Sequence, residues 1–162
     1  YTGISYIDLN NLTRDNIVKG IDGNDSLITK RQKTKTNVKI PLLDKALELV
    51  FKYENHPRVV ANNGILPRLS NQRINAYLKE IADLCKIKKN LTFHIARHTF
   101  ATTVTLSNGV PIETVSKLLG HTKIATTQIY ARVIERKVSE DINALKIKMI
   151  NKNNQKIHSK SK

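Results

Sequence analysis

The spacing of apolar residues changes several times along this chain, and each change marks a predicted element. Positions Ile4, Ile7, Leu9 and Leu12 have helical spacing and predict a short amphipathic helix. Thr13-Arg14-Asp15-Asn16 reads as a turn. Ile17-Val18 opens a strand, Asp22-Gly23-Asn24-Asp25 is a strong turn signal, and extended runs follow over Ser26–Arg31 and Val38–Leu42. Together they predict a small antiparallel sheet. Between the last two runs lies a basic hairpin, Arg31-Gln32-Lys33-Thr34-Lys35-Thr36, which taken alone is a solvated turn.

Helical spacing then returns. Leu43, Ala46, Leu47, Val50 and Phe51 share one face of a helix ending at Tyr53. Glu54 to Pro67, with two prolines, a glycine and three asparagines, is expected to be a loop. Ser70 is a good N-cap for a helix through about Cys85, with Ile74, Tyr77, Leu78, Ile81 and Leu84 or Cys85 inward. A basic link, Lys86–Asn90, leads to a helix over Phe93–Ser107 that closes at Asn108-Gly109. Pro111 sits in the first turn of the next helix, which stops at Gly120. Thr126–Tyr130 is short and helical, and Val133 to Ile150 forms a last helix with Val138, Ile142, Leu145 and Met149 on one stripe. Asn151–Lys162, polar and Lys-rich, is expected to be a disordered tail. The expected class is mainly α with a small antiparallel β-sheet (α+β), with residues 1–150 as one domain.

Composition sharpens this picture in one respect. Lys and Arg number 28 against 13 Asp and Glu, a net charge of +15, with a pI near 10.0. A fold does not need that excess, which costs self-repulsion, so it points to a polyanion such as nucleic acid. Aromatic residues make up only 5%, with no Trp, which argues against single-strand binding by base stacking. The lone Cys85 cannot form an intrachain disulfide and fits a reducing, intracellular compartment. No apolar run approaches the ~20 residues of a membrane span, so no membrane partner is expected.

The candidate chemistry lies between Phe93 and Tyr130. His94 and Arg97, three apart, fall on one helix face. His121 and Tyr130 each follow or end a short helical segment that can fold back onto that face. Cutting a phosphodiester with a protein nucleophile needs an attacking oxygen, donors around the nonbridging oxygens, and a proton for the leaving alkoxide. Tyr130 is a candidate nucleophile. A tyrosine's reference pKa is about 10, so ionising one at pH 7 costs about 4 kcal/mol, which nearby cations must offset. Arg97 suits an oxygen clamp, and His94 and His121 can each donate a hydrogen bond or handle a proton. His94 and His98 also have the spacing of a helical zinc motif. Ile95 stands where that motif needs Glu, and Arg97 would repel a cation.

These residues stand in a recognisable order: His94-x-x-Arg97-His98-Thr99-Phe100-Ala101-Thr102, then Leu118-Leu119-Gly120-His121, then Thr126-Thr127-Gln128-Ile129-Tyr130. The arrangement closely resembles the C-terminal catalytic motif of tyrosine recombinases, the phage-type integrases, including those of conjugative transposons. Lys33, in a Lys-Thr…Ile-Pro-Leu context, is similar to the family's hairpin lysine, its general acid toward the 5′-oxygen. The resemblance implies a catalytic domain that cuts and rejoins DNA through a 3′-phosphotyrosyl intermediate, integrating or excising a mobile element, without metal, ATP or other cofactor. Its implied partners are double-stranded DNA attachment sites, further copies of itself in a tetrameric synapse, and accessory DNA-bending proteins. It implies a cytoplasmic, nucleoid-associated bacterial setting. The family's N-terminal DNA-clasping domain, and its catalytic domain's first helix, are expected to be missing from this stretch.

One position departs from the pattern. The family's first arginine belongs in a Thr-Gly-Leu-Arg-like turn, which here reads Thr2-Gly3-Ile4-Ser5, and Ser5 carries no charge. Similar integrases of conjugative transposons vary here. Arg31 is the expected substitute, on the ground that residues two apart in a strand share a face and Arg31 would point with Lys33. Three other readings remain open: a helix-turn-helix, a non-catalytic DNA-binding relative of integrases, and a type IB topoisomerase.

Overall fold

The computed structural model describes residues 1–131 together with 142–143, 145–147 and 149–150. Helix α1 (Tyr6–Asn10) starts at Ser5, whose hydroxyl caps the Asp8 amide. A single 3₁₀ turn leads to strands β1 (Ile17–Lys19), β2 (Asp25–Lys30) and β3 (Asn37–Pro41). They form an antiparallel sheet in the order β1-β2-β3, with Leu27 opposite Ile17 on one side and Ile40 on the other. In β3 the burial alternates, Val38 and Ile40 inward and Asn37, Lys39 and Pro41 outward, as period-2 side chains require. The predicted sheet is present in its predicted place.

Helix α2 (Asp44–Tyr53) follows, then α3 (Pro57–Ala61) and α4 (Asn71–Leu84). The expected loop over Glu54–Pro67 is therefore interrupted by a helical turn. Pro57 supplies its first residue, His56 caps it, and Val59 anchors it in the core. A second expectation holds only in part. Of the apolar face assigned inward on α4, Ile74 and Leu78 are half-buried, but Tyr77 and Ile81 are exposed, Leu84 is 84% exposed, and Cys85 is exposed too; the residue buried is Ala82. Phe51 on α2 is exposed as well, Ala46 being the buried member of its face. Periodicity groups these residues on one side, but the elements among the described residues cover that side only in part.

The C-terminal half holds α5 (Phe93–Thr99), wider π-type turns over Phe100–Thr105, a 3₁₀ turn, α6 (Ile112–Leu119) and α7 (Ala125–Ala131). Gly109 and Gly120 end their segments with φ of 84° and 63°, as the sequence signals predicted. Most of the expected last helix and all of the tail 151–162 lie outside the described residues. Ile142, Leu145 and Met149, which are described, are exposed.

Two apolar clusters result. Ile4, Leu12, Leu27, Val38, Ile40 and Ile65 join α1 to the sheet, while Phe100, Ala101, Leu106, Val115, Leu119 and Tyr130 join the C-terminal helices. Leu118 packs against both clusters. The mostly helical α+β architecture expected from sequence is observed.

Candidate active site

Along the seam between the clusters opens a cleft of about 630 Å³. Its lining brings together Ser5, Arg31, Lys33, His94, Arg97, His121 and Tyr130. All the candidate residues, separated by up to most of the chain, thus face one space. No helix among the described residues is long and apolar enough to cross a membrane.

Arg97 is the most enclosed cation. It is buried on α5, where it donates from Nη1 to Gly3 O at 2.6 Å and from Nη2 to Leu119 O at 2.5 Å. Burial, then the nearby Arg31, lowers its pKa to about 10, with Tyr130 and Asp8 acting the other way. Gly3, at φ +63°, lets the chain pass against the Phe100 ring and present its carbonyl to Arg97.

Arg31 is buried too. Its Nη1 donates to the same Leu119 O at 2.6 Å, and its Nε lies 3.4 Å from Asp8 Oδ2. The Asp8 carboxylate also accepts from Gln32 N at 2.9 Å and Ser5 Oγ at 2.6 Å. Ser5 therefore braces the carboxylate that holds Arg31. Contrary to expectation, Arg31 does not share a strand face with Lys33, because β2 ends at Lys30 and residues 31–36 form a turn. Arg31 and Lys33 both line the cleft, but Arg31 points inward and Lys33 is exposed. Nor is the hairpin a free solvated turn: Thr34 Oγ1 donates to Gly120 O at 3.1 Å, tying its tip to the α6 terminus.

Two histidines pack against Tyr130, and a third packs against one of them. His94 is exposed at the start of α5, and His98 packs edge-on to both His94 and Tyr130, with ring centroids 5.0 and 4.9 Å apart. Burial first, then His94 and Arg97, lowers the His98 pKa. The His121 ring stacks on Tyr130 at 6.4 Å. Burial, then Arg97 and Arg31, lowers its pKa to about 4, so it is neutral at pH 7.

Sequence reasoning passed over Asp8, His98 as a neighbour of Tyr130, and Thr127, whose hydroxyl lies 2.8 Å from His121 Nδ1. The signal for Asp8 was present: Ser5-x-x-Asp8 is a helix N-terminal capping pattern. Nothing local marks Thr127.

Known proteins resemble this chain in sequence and in fold. Tyrosine recombinase XerD of Caulobacter vibrioides is 32% identical over 118 residues, 72% of this chain and 38% of the relative. XerD of Halalkalibacterium halodurans is 38% identical over 91 residues, 56% of this chain and 30% of the relative. The chain thus spans about a third of the length of these curated relatives. Among solved structures, XerA recombinase superposes with a TM-score of 0.70 at 24% identity, covering 89% of this chain and 54% of that one. The catalytic domain of bacteriophage HP1 integrase superposes at 0.53 with 22% identity, covering 88% and 74%. These structural likenesses show the fold. The family model described as "Phage integrase family" matches residues 4–137, most of the chain, and to that family the chain belongs.

Proposed function

We propose that this chain is the catalytic domain of a site-specific DNA recombinase that cuts and rejoins DNA through a 3′-phosphotyrosyl bond. The observation that carries this is the convergence of Tyr130 with four cationic or proton-handling side chains and Arg31 on one cleft. As Tyr130 Oη attacks the phosphorus, its phenol proton passes to water in the open cleft, and the P–O5′ bond breaks with a proton from Lys33 going to the leaving 5′-oxygen. Arg97 and His94 ligate the nonbridging oxygens, and Arg31 supplies the charge that Ser5 lacks. His121 faces Arg97 while neutral; a phosphate nearby favours its doubly protonated form, in which Nε2 becomes a donor to oxygen.

The substrate is double-stranded DNA, a reading the excess of basic residues supports. Solved relatives of this fold include XerH recombinase bound to its difH substrate and a Tn1549 transposon integrase with circular intermediate DNA. By analogy the chain works in a mobile element, as a homo-oligomer on DNA, in the bacterial cytoplasm. Residues 1–150 form the catalytic unit, and a separate DNA-clasping domain completes the enzyme. The named relatives being recombinases favours this reading over a type IB topoisomerase.

The test is covalent trapping on nicked duplexes with wild type and Tyr130→Phe. A denaturing-gel adduct in wild type alone supports the proposal. An adduct surviving Tyr130→Phe sinks Tyr130 as the nucleophile; no adduct despite intact DNA binding sinks the proposal and leaves the non-catalytic DNA-binding relative.

A further inference from the structure

His121 is held at both ring nitrogens. Nε2 lies 3.1 Å from Arg97 Nη2, and Nδ1 lies 2.8 Å from Thr127 Oγ1. A guanidinium nitrogen has only protons to offer, so Nε2 must be the acceptor. The neutral ring therefore carries its proton on Nδ1 and donates it to the Thr127 hydroxyl. Thr127 is wholly buried, at 0% exposure. It lies on α7, three residues before Tyr130, so both stand on the same side of one short helix.

We propose that Thr127 is a positioning residue that couples the seating of the Tyr130 helix to the proton arrangement of His121. When α7 is docked, the hydroxyl accepts the Nδ1 proton and fixes the ring's tautomer and tilt. Nδ1 stays a donor to Thr127 whether the ring is neutral or doubly protonated. Any change in protonation is thereby confined to Nε2, the nitrogen on the side of Arg97 and the cleft. Without the hydroxyl, Nδ1–H loses its acceptor, the ring is free to turn away from Arg97, and once clear of those protons Nε2 can carry the proton. Arg97 Nη2 loses its own acceptor in turn, and both groups lose their alignment.

The role of this contact in cleavage rests on the recombinase reading, but the tautomer can be read without activity. The ring ¹⁵N shifts of His121, assigned by comparison with His121→Gln, distinguish a protonated Nδ1 from a protonated Nε2. Wild type and Thr127→Ser should show the Nδ1–H form. Thr127→Val and Thr127→Ala, two replacements of different size that lack the hydroxyl, should show Nε2–H. Cleavage of a nicked duplex should fall roughly 10- to 100-fold in the latter pair and recover in Thr127→Ser, within what one positioned donor contributes. Valine and alanine variants that retain the Nδ1–H tautomer overturn the proposal. So does Thr127→Ser losing as much cleavage as they do, since the hydroxyl would then not be what matters. A tautomer switch in a chain that never cleaves DNA leaves the coupling standing and removes the recombinase reading instead.

Discussion

Arg31 and Arg97 donate to one backbone oxygen, Leu119 O, at 2.6 and 2.5 Å. A carbonyl has two lone pairs and can serve both, but the shared acceptor sets two guanidinium charges side by side in a partly dry seam. Asp8 is the carboxylate paired with Arg31 there, and burial first, then Arg31, lowers the pKa of Arg97. An incoming phosphate relieves that repulsion, because each fork presents protons to an oxyanion. The two arginines come from opposite halves of the chain, so the site exists only when both apolar clusters have formed.

Arg31→Ala should therefore lower the cleavage rate about 10²–10³-fold, the usual cost of one transition-state donor, about 3–4 kcal/mol. Arg31→Lys should recover only part, since an ammonium keeps the charge but loses the fork. Single-turnover cleavage at saturating DNA measures both. Arg31→Ala cleaving like wild type, while Lys33→Ala abolishes cleavage, would show that Arg31 does not replace the missing arginine.

Gly120 leaves the space Arg31 occupies. A Cβ there would stand 2.4 Å from Arg31 Cδ and 2.9 Å from Val38 Cγ2, on a backbone at φ +63°. Gly120→Ala should destabilise the fold by roughly 1–3 kcal/mol through left-handed strain and overpacking. Cleavage should fall further than the unfolded fraction explains, because Arg31 must shift. Denaturant melts alongside cleavage rates separate the two losses. A stable variant with normal cleavage would show that the turn has slack.

Much of the site was legible because its residues sit at local landmarks. His94 and Arg97 share a helix face, and His121 and Tyr130 follow or end short helices bounded by Gly120 and Pro111. The sheet was legible from alternation and turn residues. Hidden were contacts set by distant packing, such as Asp8 to Arg31, 23 residues apart. The α3 turn was hidden by its prolines and asparagines, which suit a loop equally well. The outward faces of α2 and α4 show a limit of periodicity: it says which residues stand together, not whether anything covers them.

DNA binding should weaken steeply as salt rises, since a +15 chain binds by releasing counterions from phosphates. For a surface making about 6 phosphate contacts, affinity should fall roughly 10³-fold between 50 and 200 mM salt. Fluorescence anisotropy with labelled duplex measures the slope. Lys33→Ala should flatten it by about one unit if Lys33 reaches the backbone. Affinity indifferent to salt would count against a phosphate-dominated interface.

Acid should destabilise the fold through His121. Unfolded, this ring takes up a proton near the reference value of about 6.5, whereas in the fold it resists until about pH 4. Between those values the unfolded chain binds more protons than the folded one, so unfolding gains as pH falls. Above pH 6.5 the ring is neutral in both states and contributes no slope. His98, lowered by burial and by its His94 and Arg97 neighbours, acts in the same direction. The melting temperature should therefore drop from pH 6.5 toward pH 4 in wild type. In His121→Asn, which cannot titrate, the drop should be shallower by the share His121 carries. The carboxylates are common to both proteins and cancel in that difference. Parallel curves would mean that His121 titrates in the fold much as it does unfolded, and that burial and the neighbouring arginines do not hold its ring neutral.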